Sequence, residues 1–147
     1  MAHIVILGAG IGGMPMAYEM KALARPEDRV TVISESPRFQ FVPSNPWVAV
    51  DWRKRSDIEI DIEPALARKG IAFIAKAAAR VHAELNQIEL ADGQRVDYDY
   101  LVIATGPKLA FDEVPGLGPE QFTQSICHVS HAEKAASGWE RFTADPG

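Results

Sequence analysis

Hydrophobic residues in this chain occur in short runs separated by polar turns, a pattern typical of an α/β protein with a buried parallel sheet. The runs at His3–Leu7 and Arg29–Ile33 predict strands, and Met14–Leu23 between them predicts a helix. A strand, a helix and a second strand within roughly thirty residues form a βαβ unit. Further apolar runs predict buried strands at Ile71–Ile74 and Tyr100–Ala104.

Three shorter segments between the last two strands predict an antiparallel meander. They are Ala78–Val81, Gln87–Leu90 and Arg95–Asp97, with Asn86 in the first connection and Asp92-Gly93 in the second. Asparagine, aspartate and glycine favour the tight turns of hairpins. The pattern therefore predicts a Rossmann-like parallel sheet with an inserted three-stranded antiparallel meander.

Residues 36–56 have a different character, with prolines, aromatic residues and a basic cluster at 53–55. The prolines exclude a long helix, and the aromatic side chains argue against a solvated linker. We expect an ordered loop that packs against a large, flat surface. After it, Asp61–Lys69 predicts a short helix that ends at Gly70.

Composition narrows the function classes. The chain has 147 residues, a net charge of −5 and one cysteine. Its length predicts one domain, and the negative charge argues against a nucleic-acid partner. No apolar run approaches the roughly 20 residues that cross a bilayer, and no signal peptide is recognisable, so we expect a cytoplasmic start. A single cysteine excludes an internal disulfide and a cysteine-based metal cluster, and no metal site is predicted.

A glycine-rich turn follows the first strand directly. It reads Gly8-Ala9-Gly10-Ile11-Gly12-Gly13, a G-x-G-x-x-G motif with an extra glycine at Gly12, and it opens the first helix. In a dinucleotide site, Gly8 permits the tight turn, Gly10 admits a pyrophosphate and Gly13 lets the helix pack on the strand. The helix N-terminus then faces the phosphates. The alternative is a glycine-rich turn in another kind of α/β protein.

The order of these elements, with Ala104-Thr105-Gly106 closing the last strand, resembles the FAD-binding domain of the two-dinucleotide-binding flavoprotein disulfide reductases. The resemblance implies FAD as cofactor, with backbone at Ala104, Thr105 and Gly106 passing close to it. Ser34 aligns with the ribose-binding position after the second strand, and Glu35 follows it. By the same resemblance, the backbone of Ala78 contacts adenine.

Three segments narrow the resemblance to the sulfide:quinone oxidoreductases: Phe39–Trp47, Ala104–Leu109 and Ser125–His131. Members of that family are flavin-dependent and membrane-associated. They oxidise sulfide to sulfane sulfur or polysulfide and reduce a quinone. The resemblance thus implies sulfide and quinone as substrates, leaves a homo-oligomer open, and gives no reason to expect nucleic acid.

The resemblance also assigns residues to the reaction. Cys127 receives a redox role, with a covalent thioether to the flavin in some members, and Pro43 lies against the isoalloxazine ring. Lys108 faces the flavin or the pyrophosphate. If a helix begins at Cys127, His131 shares its face at i, i+4 and could relay a proton. The alternatives are a small buried cysteine, an exposed lysine and an exposed helical histidine.

Enzymes of that family are much longer than this chain, so we predict an N-terminal fragment. Residues 1–112 would be the FAD-binding Rossmann-like domain, and 113–147 a connector towards a second nucleotide-fold domain. We expect the fragment alone to be inactive and to bind FAD weakly or not at all, and the parent to be peripheral on the membrane through its C-terminal part. The alternatives are an NADH:quinone dehydrogenase, a cytochrome-linked sulfide dehydrogenase or a non-catalytic nucleotide-binding module.

Overall fold

The computed structural model describes residues 1–147 as two compact units. The first contains Met1–Phe39 and Asp61–Gly106, and the second contains Gln40–Ile60 and Pro107–Gly147. The boundary after residue 112 stays a prediction.

Nine strands and four helices make up the chain. In chain order the strands are β1 (His3–Leu7), β2 (Arg29–Ile33), β3 (Arg38–Gln40), β4 (Glu59–Asp61), β5 (Ala72–Ile74), β6 (Ala78–His82), β7 (Gln87–Leu90), β8 (Arg95–Asp97) and β9 (Tyr100–Ile103). The helices are α1 (Gly13–Leu23), α2 (Asn45–Ala49), α3 (Ile62–Ala67) and α4 (Val129–Ala144). None of these helices combines the length and the apolar character that a membrane span requires.

The first unit holds a four-stranded parallel sheet in the order β5-β2-β1-β9 and a three-stranded antiparallel sheet in the order β6-β7-β8. This confirms the predicted α/β class, the parallel sheet and the inserted meander. Strands β3 and β4 form a separate two-stranded sheet that the sequence did not predict. The chain leaves the first unit within β3 and returns to it within β4.

Alternation along β1 explains how the parallel sheet is covered on both faces. Ile6 points into a core that includes Met14 of α1 and Leu66 of α3. Val5 and Leu7 belong to the opposite core, which includes residues of the meander. Complete burial of each large side chain contributes roughly 1.5–3 kcal/mol, so the meander is held by the same force as the helices.

The buried carboxylate of Asp28, the residue before β2, forms hydrogen bonds with the start of the chain. Its oxygens accept hydrogen bonds from the Ala2 N–H at 2.7 Å and from the Arg25 Nε–H at 3.0 Å. The Arg25 hydrogen bond is the largest cause, and the Ala2 N–H the next, of a pKa for Asp28 of about 2, below its usual 3.8. The carboxylate is therefore favoured by the folded state.

The free energy of unfolding is expected to decrease as the pH is lowered, because the pKa of Asp28 is lower in the folded state than in the unfolded state. Its contribution is complete above pH 3.8, where the unfolded carboxyl is ionised, and is lost as the pH falls towards about 2. The Asp28→Asn variant should show a lower urea midpoint at neutral pH and a shallower decline between pH 4 and pH 2. Asp112→Asn, which changes an exposed carboxylate, is the control. Parallel curves for Asp28→Asn and the unmodified chain would contradict the assignment.

In the second unit, α2 packs against α4 through an apolar cluster of small and medium side chains. The cluster consists of Val48, Ala49, Ile58, Val129, Ala132 and Ala135. Helix α4 begins at Val129, with His128 as its N-cap residue. The premise that a helix begins at Cys127 is therefore wrong, because Cys127 lies two positions before the first helical residue. Its i, i+4 relation to His131 along one helix face does not exist.

Candidate functional site

The glycine turn and the Ala104-Thr105-Gly106 turn meet at the ends of two neighbouring strands in the first unit. Gly8 has φ +104°, and a Cβ there would lie 2.3 Å from the Ala104 carbonyl oxygen. A Cβ at Gly13 would lie 1.9 Å from the Gly8 carbonyl oxygen. Glycine is thus required at both positions by close backbone approach. The structure brings these two motifs together as a contiguous backbone surface.

Gly10 stands apart from these two glycines. Its φ is not positive, and a Cβ added there would meet nothing within 4 Å. The chain itself gives no reason for glycine at this position, so the missing side chain leaves open space beside the turn. Gly12 is the N-cap residue of α1, whose first turn has no side-chain cap and no acidic residue. The positive end of the helix dipole is thus free for an anion in that space.

The other predicted cofactor residues of the first unit lie at the ends of strands. The Ser34 N–H, just after β2, donates to the Ile74 carbonyl at 3.1 Å, and the neighbouring Glu35 is exposed. Ala78 begins β6, pairs with Leu90 and lies next to a register shift. Thr105 and Gly106 are exposed, and Gly106 has φ +75°.

The second unit contains the remaining predicted residues. Pro43 lies in a 3-10 turn over Val42–Ser44 and is exposed. Lys108 is also exposed and lies in an irregular segment. Cys127 is a free, exposed thiol.

The Ser125 hydroxyl links Cys127 and His131. Ser125 is buried, and its Oγ accepts a hydrogen bond from the Cys127 N–H at 3.3 Å. The same Oγ lies 3.2 Å from His131 Nδ1. A hydroxyl can donate to a neutral ring nitrogen or accept from a protonated one, so this bond persists when His131 changes its charge. The two predicted catalytic residues therefore share one partner, although not for the reason given by helical spacing.

Aromatic rings and a groove surround His131. The Phe111 and His128 rings lie 5.7 and 5.1 Å from its ring, measured between centroids. His131 also lines a groove of about 500 Å³ formed chiefly by residues 111–121. At this groove, Lys134 Nζ donates to Glu120 at 2.8 Å, and that bond lowers the pKa of Glu120. The groove is open to solvent and mainly apolar, with Glu120 among its polar residues, so small molecules can approach His131 along it.

Comparison with known proteins decides the family. The family model for pyridine nucleotide-disulphide oxidoreductases matches residues 2–142. The chain belongs to this family. Pyridine nucleotide-disulphide oxidoreductases are FAD-dependent flavoproteins, which confirms the predicted cofactor class.

Individual members of the pyridine nucleotide-disulphide oxidoreductase family resemble the chain over its whole length. A sulfide-quinone reductase from Aquifex aeolicus is 38% identical over 99% of this chain and 33% of the relative. A mitochondrial sulfide:quinone oxidoreductase from Mus musculus is 29% identical over 97% of this chain and 32% of the relative. The X-ray structure of the Aquifex aeolicus sulfide:quinone oxidoreductase superposes with a TM-score of 0.89 at 37% identity, covering 100% of this chain and 33% of that chain. The predicted resemblance is confirmed, and the chain spans about a third of these relatives' length.

Sequence reasoning gave no role to two polar residues of the second unit that the structure connects to Cys127. Ser125 and Asn45 lie inside segments that carry the resemblance, but the sequence does not show what their side chains contact. Asn45 is completely buried, and Ser125 is nearly so. Buried polar side chains usually have hydrogen-bond partners. Burial was the only signal that could have pointed to these two residues, and the sequence does not reveal it.

Proposed function

We propose that this chain is the N-terminal FAD-binding part of a flavoprotein that oxidises sulfide and reduces a quinone. In balanced form, H₂S and a quinone yield sulfane sulfur and a quinol, with two electrons and two protons transferred. The observation that carries the proposal is the exposed Cys127 thiol beside the shared Ser125–His131 hydrogen bond, in a chain 38% identical to a sulfide-quinone reductase.

The space at Gly10 and the uncapped start of α1 fit the pyrophosphate of FAD. The proposed contacts to the cofactor are the glycine turn (Gly8, Gly10, Gly12, Gly13), the ribose position (Ser34, Glu35), Ala78 at adenine, the turn Ala104, Thr105 and Gly106, and Pro43 and Lys108 at the flavin. When bound, FAD supplies the capacity to take up two electrons from one substrate and release them to another.

The residues of the second unit handle sulfur and protons in this proposal. Cys127 carries the sulfur, because its thiolate is the nucleophilic form and its side chain is exposed to substrate. Joining Cys127 Sγ to the sulfur of H₂S as a persulfide breaks one S–H bond on each partner and releases two electrons and two protons. These electrons match the two-electron capacity of bound FAD, and the quinone is their final acceptor. His131 takes up a proton released from sulfide or supplies one for quinone reduction. The Ser125 hydroxyl keeps the imidazole oriented in both charge states, since it can donate or accept at Nδ1.

We further propose that the parent is peripheral on the membrane and forms the quinone site there. Quinones reside in lipid, so an enzyme that reduces them must reach the membrane surface. The curated relatives extend well beyond the matched length, and we assign membrane contact and any homo-oligomer interface to that further part.

The decisive experiment replaces Cys127 by serine in the whole flavin-loaded protein. Sulfide-dependent quinone reduction is expected to fall by about 100-fold or more, equivalent to ~2.7 kcal/mol of transition-state stabilisation. Flavin content and absorbance should not change. The matched control is Ser130→Ala, an exposed residue three positions further along the chain. Full activity in Cys127→Ser would overturn the redox role, and robust reduction by NADH in its place would favour an NADH:quinone dehydrogenase.

A further inference from the structure

Asn45 is the first residue of α2, and its side chain is completely buried. Its Nδ2 donates to the carbonyl oxygen of Ile126 at 2.8 Å, across 81 positions of sequence. Its Oδ1 accepts a hydrogen bond from Gln40 Nε2 at 2.7 Å. Both ends of this buried amide are therefore paired.

The orientation of the Asn45 amide is determined by its partners. A backbone carbonyl can only accept, so the NH₂ group must face Ile126. The Oδ1 atom is then left facing Gln40, whose NH₂ group can donate to it. Gln40 thus favours the amide orientation in which Asn45 holds the Ile126 carbonyl.

The carbonyl that Asn45 holds belongs to the peptide group that joins Ile126 to Cys127. The N–H of the same peptide group donates to Ser125 Oγ. Because α4 begins only at Val129, this segment has no helical hydrogen bonds of its own to fix its backbone. Side-chain bonds at both ends of one peptide group hold the plane that places the Cα atom of Cys127, while the thiol itself is exposed.

We propose that Asn45 is a positioning residue for Cys127, and that Gln40 supports its amide from the Oδ1 end. The expected effect on catalysis rests on the proposed redox role of Cys127. The expected effect on the backbone of residues 125–131 does not depend on that role. Catalysis by a nucleophile depends steeply on its placement, since a displacement of about 1 Å can cost about 100-fold in rate. A buried amide that acts on the backbone beside the thiol meets this requirement without touching the substrate.

The test compares Asn45→Ala with Val48→Ala in the whole flavin-loaded protein. Both truncations lie on α2, but Val48 is apolar and belongs to the cluster between α2 and α4. Amide hydrogen exchange of the peptide 125–131 is measured by mass spectrometry, together with kcat and KM for sulfide. In Asn45→Ala we expect exchange about fivefold faster, matching ~1 kcal/mol for one hydrogen bond. We expect kcat to fall about tenfold with KM little changed.

Val48→Ala should lower the unfolding midpoint and leave kcat unchanged. It should speed exchange in 125–131 less than Asn45→Ala does, because only Val129 of that peptide shares its cluster. Gln40→Ala should give an intermediate increase in exchange, because it removes only the hydrogen bond to Asn45 Oδ1. Equal effects of Asn45→Ala and Val48→Ala would overturn the proposal in favour of general packing. Unchanged kcat in Asn45→Ala, with Cys127→Ser inactive, would also overturn it. Full activity in Cys127→Ser with faster exchange in Asn45→Ala would remove the proposed redox role and leave the positioning of the segment supported.

Discussion

Substitution of Gly13 by alanine is expected to destabilise the first unit by about 3 kcal/mol or more. The new Cβ would lie 1.9 Å from the Gly8 carbonyl oxygen and 2.9 Å from its carbon, and both atoms are backbone. Alanine is intrinsically better than glycine inside a helix by about 1 kcal/mol, so helix propensity alone predicts a gain. The clash outweighs it, because neither α1 nor the turn can move without disturbing the core. Urea unfolding followed by circular dichroism measures the effect.

The control for Gly13→Ala is Gly138→Ala in α4. Gly138 is also helical, but a Cβ there would have its nearest contact, 3.4 Å, with the flexible end of Gln124. Gly138→Ala should therefore be neutral or stabilising by up to about 1 kcal/mol. If Gly13→Ala unfolded at the same urea concentration as the unmodified chain, close packing of α1 on β1 would not be the reason for this glycine.

The strands of the first unit could be predicted because their signals are local. β1, β2, β7 and β8 begin and end at the predicted residues. β1 stops at Gly8, and the turns on either side of β7 contain Asn86 and Asp92-Gly93. The meander was recognisable for the same reason. Its first turn contains Asn86 in the left-handed conformation, which asparagine tolerates better than most residues.

Elements of the second unit escaped prediction because their signals are weak. Helix α4 buries Val129, Ala132 and Ala135, and alanine adds little to a hydrophobic pattern. Residues 36–56 hold the short strand β3, the short helix α2 and single 3-10 turns, in agreement with the exclusion of a long helix. The pairing of β3 with β4 joins three-residue segments, too short to show a period of two.

The candidate site likewise contains features with local sequence signals and contacts that depend on tertiary packing. The tight turn at Gly8 and the close packing at Gly13 could be predicted from sequence because the motif specifies where backbone must approach backbone. The approach of Ala104 to Gly8 could not, since the sequence predicted its closeness to the cofactor only. The roles of Ser125 and Asn45 could not, since the Asn45 partner lies 81 positions away and is chosen by tertiary packing. Helical spacing gave the wrong reason for relating His131 to Cys127, and a shared serine hydroxyl gives the observed one.

Substitution of Gly10 by alanine is expected to weaken FAD binding while leaving the fold intact. The new Cβ would meet nothing within 4 Å in the chain, so unfolding should change by no more than about 0.5 kcal/mol. In the proposed complex, the same Cβ would occupy space needed by the pyrophosphate. We expect the Kd for FAD to rise at least about tenfold, or ~1.4 kcal/mol, when the apo-form of the whole protein is titrated.

Gly93→Ala is the control for Gly10→Ala and should change stability instead of FAD affinity. A Cβ at Gly93 also meets nothing within 4 Å, but its φ of +84° strains any other residue. Gly93→Ala should therefore cost about 1 kcal/mol in unfolding and leave the Kd for FAD unchanged. Comparing the two variants distinguishes a glycine needed to leave space for a ligand from a glycine needed for a positive φ. Unaltered FAD affinity in Gly10→Ala would mean that the open space beside α1 does not receive the cofactor's phosphates, and the placement of FAD on the glycine turn would be lost.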